Sequence, residues 1–312
     1  MSFEKLNALG GERTPFLIIS DFQAKRVDVF TLDQLQELDI EYTIEHTYTQ
    51  NNHPHSLHTH PIDFDEYKEK FDKVIQKIES GETYILNLTQ ATPIESQLSL
   101  KEIFAMANAP YKLRFKDKFV CFSPEKFISI ANNTINTFPM KGTIDASITN
   151  AEAKILANQK EMAEHIMIVD LLRNDLSIVA SHVTVEQFRY ITKIKAGDKE
   201  LLQVSSHISG KLQENWHEHI GDILSSLLPA GSISGAPKKS TLEIIDSIEN
   251  YERGYFSGVF GVYDGKSLES GVMIRFIEKT KNGYIYKSGG GITLDSEPLS
   301  EYNELQDKIY LP

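Results

Sequence analysis

The chain has 312 residues, of which 40% are hydrophobic and 24% are charged, and its formal net charge is −12. This length is enough to bury a substantial core without disulfides, as about two average domains or one large one. The negative charge disfavours nucleic acid and anionic membranes as partners, because both repel an acidic surface. The chain opens without an apolar signal segment, and no apolar run is long enough to span a membrane. We therefore expect a cytoplasmic protein.

One cysteine and a cluster of histidines in the first half of the chain could provide a reactive thiol or metal ligands. The single cysteine, Cys121, lies in the apolar run Phe119–Phe122, which predicts a buried strand rather than a catalytic thiol. Four histidines fall in a polar stretch and could hold a metal ion. They are His53, His55, His58 and His60. A solvated linker is the commoner explanation for such a stretch, since no second ligand cluster accompanies it.

Hydrophobic periodicity and turn signals predict strands in groups, with helices between the groups. The predicted strands are 15–20, 27–30, 83–90, 127–131, 135–138, 201–212, 255–263, 268–278 and 284–288. The predicted helices are 63–80, 151–173, 238–250 and 298–311. Asp264-Gly265 and Asn282-Gly283 are typical of hairpin turns. This order predicts an α+β fold with large antiparallel sheets and helices packed outside them, rather than a doubly wound parallel sheet.

Two glutamate pairs recur with a spacing of three on predicted helices. Glu161 and Glu164 form one pair, and Glu301 and Glu304 form the other. This spacing places both carboxylates of a pair on one helix face. Two such faces brought together would offer oxygen ligands of the kind that Mg²⁺ prefers. For a glutamate pair of this spacing taken alone, a solvated helix surface is the commoner explanation.

A lysine, Lys141, stands in the motif Phe138-Pro139-Met140-Lys141-Gly142-Thr143, where the flanking proline and glycine predict a turn. Further motifs follow downstream in a fixed order. They are Asp170-Leu171-Leu172-Arg173-Asn174-Asp175, the glycine- and serine-rich run 230–238, Gly289-Gly290-Gly291-Ile292, and Glu301-Tyr302-Asn303-Glu304. Together these motifs resemble the chorismate-utilising enzymes, over roughly residues 63–312. Within that family the lysine resembles the aminodeoxychorismate synthase branch, because anthranilate synthases usually carry alanine there.

The resemblance implies the chorismate-binding enzyme fold and a division of the chain. Residues 1–62 would form a short N-terminal strand region with a polar linker, and 63–312 would form the catalytic domain. Longer family members carry a larger N-terminal region, so this chain resembles a short form.

The resemblance also implies roles for the reacting groups. Lys141 would attack C2 of chorismate while Glu125 protonates the departing C4 hydroxyl, and ammonia would then add at C4 and expel the lysine. An amine attacks only when unprotonated, so we expect nearby cations and burial to lower the pKa of Lys141. We expect a poorly hydrated site to raise the pKa of Glu125. The structural alternatives are a surface turn lysine and a turn glutamate paired with Lys126.

Further residues match family positions that bind substrate or metal. The implied substrate-binding residues are Thr143, Ser232, Gly235, Arg275, Gly289, Gly290, Gly291 and Lys308. The implied magnesium ligands are Glu164 and Glu304, with Glu161 and Glu301 acting directly or through water. Simpler explanations remain open: Lys308 could pair with Glu304 one helical turn away, and Arg275, in a predicted strand, could form a cross-strand ion pair. The 232–235 segment could be only a turn before a helix.

Two positions depart from the family pattern. Gln203 occupies the place of a histidine that is common in the strand motif 203–210, and glutamine cannot act as a base. Isochorismate-type enzymes use a lysine as the base that activates water. The matching place in this chain is near Ile85, and an isoleucine side chain cannot activate water. This second difference disfavours a water-adding enzyme.

The function that the resemblance implies is that of aminodeoxychorismate synthase component I, which converts chorismate and ammonia to 4-amino-4-deoxychorismate for p-aminobenzoate and folate synthesis, with Mg²⁺. The chain lacks a Gly-x-Cys-x-Gly nucleophile motif, so ammonia would come from a separate glutamine amidotransferase subunit. Two alternatives remain: anthranilate synthase component I, and a non-catalytic chorismate-binding or regulatory subunit.

Overall fold

The computed structural model describes residues 2–44, 57–196 and 199–311. The helices are α1 (Ser2–Gly11), α2 (Phe64–Glu79), α3 (Leu100–Met106), α4 (Ala151–Ala157), α5 (Gln159–Val179), α6 (Ile220–Leu227), α7 (Gly231–Ser234), α8 (Lys238–Ile248) and α9 (Pro298–Asp307). The strands of the first half are β1 (Phe16–Ser20), β2 (Val27–Thr31), β3 (Ile40–Ile44), β4 (His58–Thr59), β5 (Ile85–Glu95), β6 (Tyr111–Phe115), β7 (Phe119–Ser123), β8 (Lys126–Ala131), β9 (Thr134–Thr137) and β10 (Met140–Asp145). The later strands are β11 (Ser181–Ala196), β12 (Lys199–Lys211), β13 (Gly235–Ala236), β14 (Val259–Tyr263), β15 (Leu268–Val272), β16 (Phe276–Thr280) and β17 (Gly283–Ile292).

These strands form two antiparallel sheets. The first sheet has the order β10-β12-β9-β8-β15-β14-β1-β2, with β11 paired to β12. The second sheet has the order β13-β5-β17-β16-β7-β6-β3, with β4 paired to β5. Several neighbouring strands are joined by hairpins, such as β16 to β17 through Asn282-Gly283, whereas others, such as β1 and β14, are far apart in the sequence. The antiparallel α+β prediction is therefore confirmed.

The two sheets pack against each other through one apolar layer. Strand β7 shows how the sequence builds it, because alternate residues of a strand point to opposite faces. Phe119 and Cys121 join the cluster between the sheets, which also contains Leu17 of β1 and Phe260 of β14. Val120 and Phe122 point the other way, into the cluster under α3. Cys121 is buried, as its apolar neighbours predicted.

Helices cover the outer face of the first sheet and continue to the edge of the second. Tyr67, Phe71 and Val74 of α2 share one apolar cluster with residues of α5, α6 and α8. Ile18 of β1 and Leu86 of β5 belong to this same cluster, so it links both sheets. Among the described residues, no helix is long and apolar enough to cross a membrane.

Strands β1 and β2 extend the sheet that contains β14, through the register Ile18↔Gly261 and Ile18↔Val29. The N-terminal strands are thus hydrogen-bonded into the same sheet as later strands. The boundary at residue 62 stays a prediction.

Three local predictions were wrong. The 151–173 segment is two helices, because Asn158 ends α4 and begins α5, where its side chain accepts a hydrogen bond from the Glu161 amide at 3.1 Å. The 268–278 segment is two strands, because Arg275 between them has a left-handed φ of 52°. Lys141 lies in strand β10 rather than in a turn.

Candidate active site

A cavity opens where β10 of the first sheet faces β5, β13 and β17 of the second, beside α5 and α7. Its lining residues are Ile85, Asn87, Glu125, Met140, Lys141, Ile168, Gly231, Ser232, Gly235 and Gly291. These residues come from seven different segments, so only the folded chain assembles the cavity. The structure places both predicted catalytic residues, Lys141 and Glu125, in this one lining.

The strand that carries Lys141 is irregular at that residue. Pairing of β10 with β12 shifts register between Met140 and Thr143, and Gly142 has a positive φ of 89°. A bulge of this kind bends a strand and redirects a side chain. The Lys141 side chain crosses to α5, where its Nζ lies 2.6 Å from Oε2 of Glu164. Only 27% of the Lys141 side chain and 7% of the Glu164 side chain are exposed.

The expectation that the pKa of Lys141 is lowered was wrong for this state of the protein. Burial does lower it, but the ion pair with Glu164 and the charges of Glu304 and Glu161 outweigh burial, so the pKa of Lys141 is raised. The amine is therefore a cation held against a carboxylate. It must separate from Glu164 and lose a proton before it can act as a nucleophile.

Glu125 is held by its backbone and its side chain. Its amide donates to Oγ of Ser123 at 3.1 Å, and its carbonyl accepts from the Val272 amide at 3.0 Å. The Ser232 hydroxyl donates to its Oε1 at 2.6 Å. Burial raises the pKa of Glu125, while this hydrogen bond and the charges of nearby cations, Arg275 included, lower it in part. A raised pKa is what was predicted for Glu125.

The four predicted metal ligands lie around Lys141 without converging on one point. Glu161 Oε2 approaches Gly142, and Glu301 Oε2 approaches Gly290. Burial, with repulsion from Glu164, raises the pKa of Glu161. Burial also raises the pKa of Glu301, to which Ser296 donates a hydrogen bond at 2.9 Å.

These carboxylates suit a divalent cation by chemistry, since all are oxygen donors that repel one another. In the part of the chain that the structure describes, however, no three acidic, histidine or cysteine side chains are gathered closely enough to hold a metal ion. Two of these carboxylates instead form ion pairs with lysines: Glu164 pairs with Lys141, and Glu301 lies 3.8 Å from Lys160. The site therefore has the donor set for Mg²⁺ but is arranged here around its own cations.

The glycine run in β17 leaves room for charged side chains. A Cβ on Gly291 would lie 3.5 Å from Nζ of Lys141, and one on Gly290 would lie 3.3 Å from Oε2 of Glu301. Lys308, just after α9, donates to the Gly289 carbonyl at 2.8 Å and pairs with Glu304 at 2.7 Å. The i,i+4 pair is thus present, and the same amine also reaches the glycine strand.

Of the other predicted substrate-binding residues, some line the cavity and some do not. Ser232 and Gly235 line the cavity, whereas Thr143 is exposed on β10, opposite Gln203 of β12. Arg275 is not part of the cavity lining; it lies between β15 and β16, where its charge acts on Glu125 and its Nε donates to the Tyr310 hydroxyl at 3.4 Å. Neither a strand position nor a cross-strand ion pair describes Arg275.

The early histidines show no metal-binding arrangement where they can be described. His58 and His60 stack edge to face, and His60 Nε2 lies 2.9 Å from Glu95. His53 and His55 lie outside the described residues.

The sequence model of the family described as chorismate binding enzyme matches residues 19–311. The chain belongs to the chorismate binding enzyme family. The match begins at residue 19, whereas the motifs in the sequence indicated a resemblance only from about residue 63 onward. Strands from β2 onward, and every predicted site residue, fall inside it.

Known proteins that are similar to this chain in sequence or in fold match different shares of its length. The chain is 48% identical to an uncharacterised PabA-like protein from Haemophilus influenzae, over 99% of this chain and 95% of that protein. It is 35% identical to aminodeoxychorismate synthase component 1 from Salmonella typhimurium, over 78% of this chain and 56% of the relative. The fold is similar to that of the menaquinone-specific isochorismate synthase from Escherichia coli, with a TM-score of 0.72, 15% identity, and coverage of 98% and 79% of the two chains.

Sequence reasoning missed a histidine that packs behind Lys141 in this family member. His165 is fully buried in α5, next to Glu164, and its Nε2 lies 2.7 Å from Oγ of Ser206. Burial and the charge of Arg189 lower the pKa of His165 to about 4, and the Lys141 backbone opposes this only in part. A histidine among apolar residues, directly after a candidate ligand, was the available signal.

A second missed residue is Asn87, which lines the cavity from β5. Its Nδ2 donates to the Ile233 carbonyl at 3.2 Å, and its own carbonyl accepts from Arg253 at 2.6 Å. Arg253 in turn pairs with Glu249 at 2.7 Å, and both side chains are almost completely buried. This network ties β5 to α7, which carries Ser232.

Proposed function

We propose that this protein is an aminodeoxychorismate synthase component that converts chorismate and ammonia to 4-amino-4-deoxychorismate. The observation that carries the proposal is the shared cavity of Lys141 and Glu125. One residue is a primary amine and the other is a buried carboxyl group with a raised pKa. A nucleophile and a general acid lining one cavity suit displacement of a hydroxyl group.

In the proposed reaction, the unprotonated Lys141 amine forms a bond to C2 of chorismate. The ring double bond shifts, and the C4–O bond breaks. Glu125 gives its proton to the departing oxygen, which leaves as water, so the adduct is chorismate plus enzyme less one water. Ammonia then forms a bond to C4, the double bond shifts back, and the Lys141 amine leaves. The new ammonium group gives one proton to the Glu125 carboxylate, which restores the acid. The product is chorismate plus ammonia less one water.

The substrate carries two carboxylates, and the protein as a whole is acidic, so cations at the site must attract it. Arg275 and Lys308 supply such charges beside the cavity. Burial lowers the pKa of Lys308, although its pair with Glu304 opposes this. Arginine binds a carboxylate through two parallel hydrogen bonds, which fixes the orientation of the ring as well as its position.

We also propose Mg²⁺ as the cofactor, held by Glu164 and Glu304 with Glu161 and Glu301. When bound, the ion would neutralise these carboxylates and bind an oxygen of the substrate. Lys141 and Lys160 now pair with Glu164 and Glu301. Release of Lys141 from Glu164 would remove the interaction that raises the pKa of the amine.

The ammonia source is proposed to be a separate amidotransferase subunit. The Salmonella typhimurium relative is named a component 1, which supports a second component. The chain has one cysteine, Cys121, and it is buried between the sheets, where burial raises its pKa. This thiol is unsuited to glutamine hydrolysis, since the thiolate is the reactive form.

One incubation tests the proposed function. The purified chain is given chorismate, Mg²⁺ and ¹⁵N-ammonium, and the product is examined by mass and by ¹⁵N-correlated NMR. We expect label on C4, retention of the enolpyruvyl group, and no label from glutamine supplied alone. Label on C2 or release of pyruvate would instead indicate the anthranilate synthase alternative. Binding of chorismate without turnover would indicate the non-catalytic alternative.

A further inference from the structure

Tyr310 forms an unusual contact with the candidate carboxylate-binding arginine. The Arg275 guanidinium carbon lies 5.3 Å from the centroid of the Tyr310 ring, within the range of a cation–π interaction. The Nε of Arg275 also donates to the Tyr310 hydroxyl at 3.4 Å. The ring and the hydroxyl of one tyrosine therefore contact the same guanidinium group.

The backbone at both residues fixes this contact. Arg275 adopts a φ of 52°, which is uncommon for a residue with a side chain, and its carbonyl accepts from the Phe122 amide at 3.1 Å. The Tyr310 carbonyl accepts from the hydroxyl of the fully buried Tyr286 at 3.2 Å. Ile309 and Leu311, on either side of Tyr310, pack against the apolar cluster under α3. Tyr310 as a whole is 42% exposed, although its backbone is anchored.

The contact leaves one edge of the guanidinium available. With Nε directed to Tyr310, both Nη atoms of Arg275 lack a hydrogen-bond partner within 2–44, 57–196 and 199–311. Those two nitrogens form the fork that pairs with a carboxylate. A long side chain that is already oriented loses less freedom when a ligand binds than a mobile one does.

We propose that Tyr310 is a positioning residue, whose ring and hydroxyl orient the Arg275 guanidinium so that its two Nη atoms face a substrate carboxylate. The identity of that substrate rests on the proposed function. Tyr310 itself does not contact substrate in this account. It acts on substrate affinity, through Arg275, and leaves the bond-making steps at Lys141 unchanged.

Two measurements test this inference. The first is chorismate affinity by calorimetry, with KM and kcat, for the wild type, Tyr310→Phe, Tyr310→Ala and Arg275→Ala. We expect Tyr310→Ala to weaken binding about 10-fold with kcat unchanged, approaching Arg275→Ala. Tyr310→Phe keeps the ring and loses only the acceptor, so we expect a change of about 2- to 3-fold. Tyr84→Ala, which removes a tyrosine that is 61% exposed, is the matched control.

The second measurement does not depend on the substrate. ¹⁵N relaxation of the Arg275 Nε–Hε group reports its mobility in the ligand-free protein. We expect this group to be ordered in the wild type and mobile in Tyr310→Ala, at an unchanged melting temperature. An Arg275 Nε–Hε group that stays as ordered in Tyr310→Ala as in the wild type would overturn the inference. So would a Tyr310→Ala protein that binds chorismate as tightly as the wild type, if Arg275→Ala binds it more weakly. If the wild type fails to bind chorismate, the proposed function fails and the relaxation result alone decides the role of Tyr310. If Tyr310→Ala does not fold, Tyr310→Phe decides: a partial loss of Nε–Hε order with affinity weaker by about 2- to 3-fold supports the inference, and no change in either overturns it.

Discussion

At the scale of single residues, the hydrogen bond from Ser232 to Glu125 bears on the proton that we propose for the departing hydroxyl. Glu125→Gln removes that proton while keeping the shape of the side chain and its bond to Ser232. We expect turnover to fall by about 10²- to 10⁴-fold with chorismate affinity little changed, as for the loss of a general acid. Steady-state kinetics check this. A loss confined to KM would assign Glu125 to binding.

Ser232→Ala changes the same proton more subtly. Burial raises the pKa of Glu125, and the Ser232 hydroxyl lowers it by donating to the ionised form. Without the hydroxyl the pKa of Glu125 rises further, so Glu125 stays protonated to higher pH. We therefore expect the alkaline limb of the kcat profile to move to higher pH in this variant. A limb that stays in place, or moves to lower pH, would separate Glu125 from the observed titration.

The proposed metal site gives a third prediction. Glu304→Gln removes one charged oxygen donor, so we expect the Mg²⁺ concentration for half-maximal turnover to rise by about 10-fold or more, by analogy with losses of metal-site residues. Chelation should abolish turnover in the wild type. Glu243→Gln, on the exposed side of α8, is the matched control. Turnover that survives chelation would remove the metal from the reaction.

Residue types and order in the sequence were enough to select Lys141, Glu125 and the glutamates. They did not give the partner of Lys141. A lysine and a glutamate separated by 23 positions meet only because α5 packs across β10. The direction of a pKa depends on which charge is nearest after folding, which is why the expected lowering for Lys141 was wrong.

At the scale of elements, the close approach of β13 to β5 depends on one glycine. Gly235 has a φ of 132°, and a Cβ there would lie 2.0 Å from the Ile85 carbonyl oxygen. We expect Gly235→Ala to force β13 off β5 and to lower the free energy of unfolding by several kcal/mol, on the order of an overpacked core. Gly81→Ala, at a φ of 75° with open space around it, should cost only about 1 kcal/mol. Denaturant unfolding compares them, and equal losses would contradict a steric cause.

Hydrophobic periodicity in the sequence located many of the helices and strands, but it did not reveal where a predicted element is interrupted. The first two strands were predicted at 15–20 and 27–30, close to β1 and β2, because their flanks are turn-forming. The break at Asn158 leaves a weak signal, an asparagine three residues before a glutamate, within an otherwise helical run. The break at Arg275 leaves none, since its φ of 52° is imposed by the folded surroundings.

At the scale of the whole molecule, acid stability should depend on His165. Its pKa is about 4 in the folded protein and near 6.5 when unfolded. Between these values the unfolded chain binds more protons, so stability is full above pH 6.5 and is lost as the pH falls toward 4. We expect a melting temperature lower by a few degrees at pH 5 than at pH 7, and a smaller difference in His165→Gln. An equal difference in both proteins would exclude His165 as the cause.

The α+β class followed from hairpin signals, but the placement of the site at the meeting of two sheet edges did not. The cavity joins residues as far apart as Ile85 and Gly291, and strand order in the sheets decides which of them meet. Local sequence carries no record of strand order. The resemblance identified the site residues, whereas the strand order that brings them together came from the folded structure.

Covalent catalysis by Lys141 can be tested by measuring the mass of the peptide that contains this lysine. The protein is incubated with chorismate and Mg²⁺ without ammonia, quenched and digested. We predict an adduct of chorismate less one water on Lys141, absent from Lys141→Ala and retained in Lys160→Ala. Lys141→Ala should also lose product formation by about 10²-fold or more. A Lys141→Ala protein with unchanged rate and product, and no adduct in the wild type, would contradict covalent catalysis by Lys141.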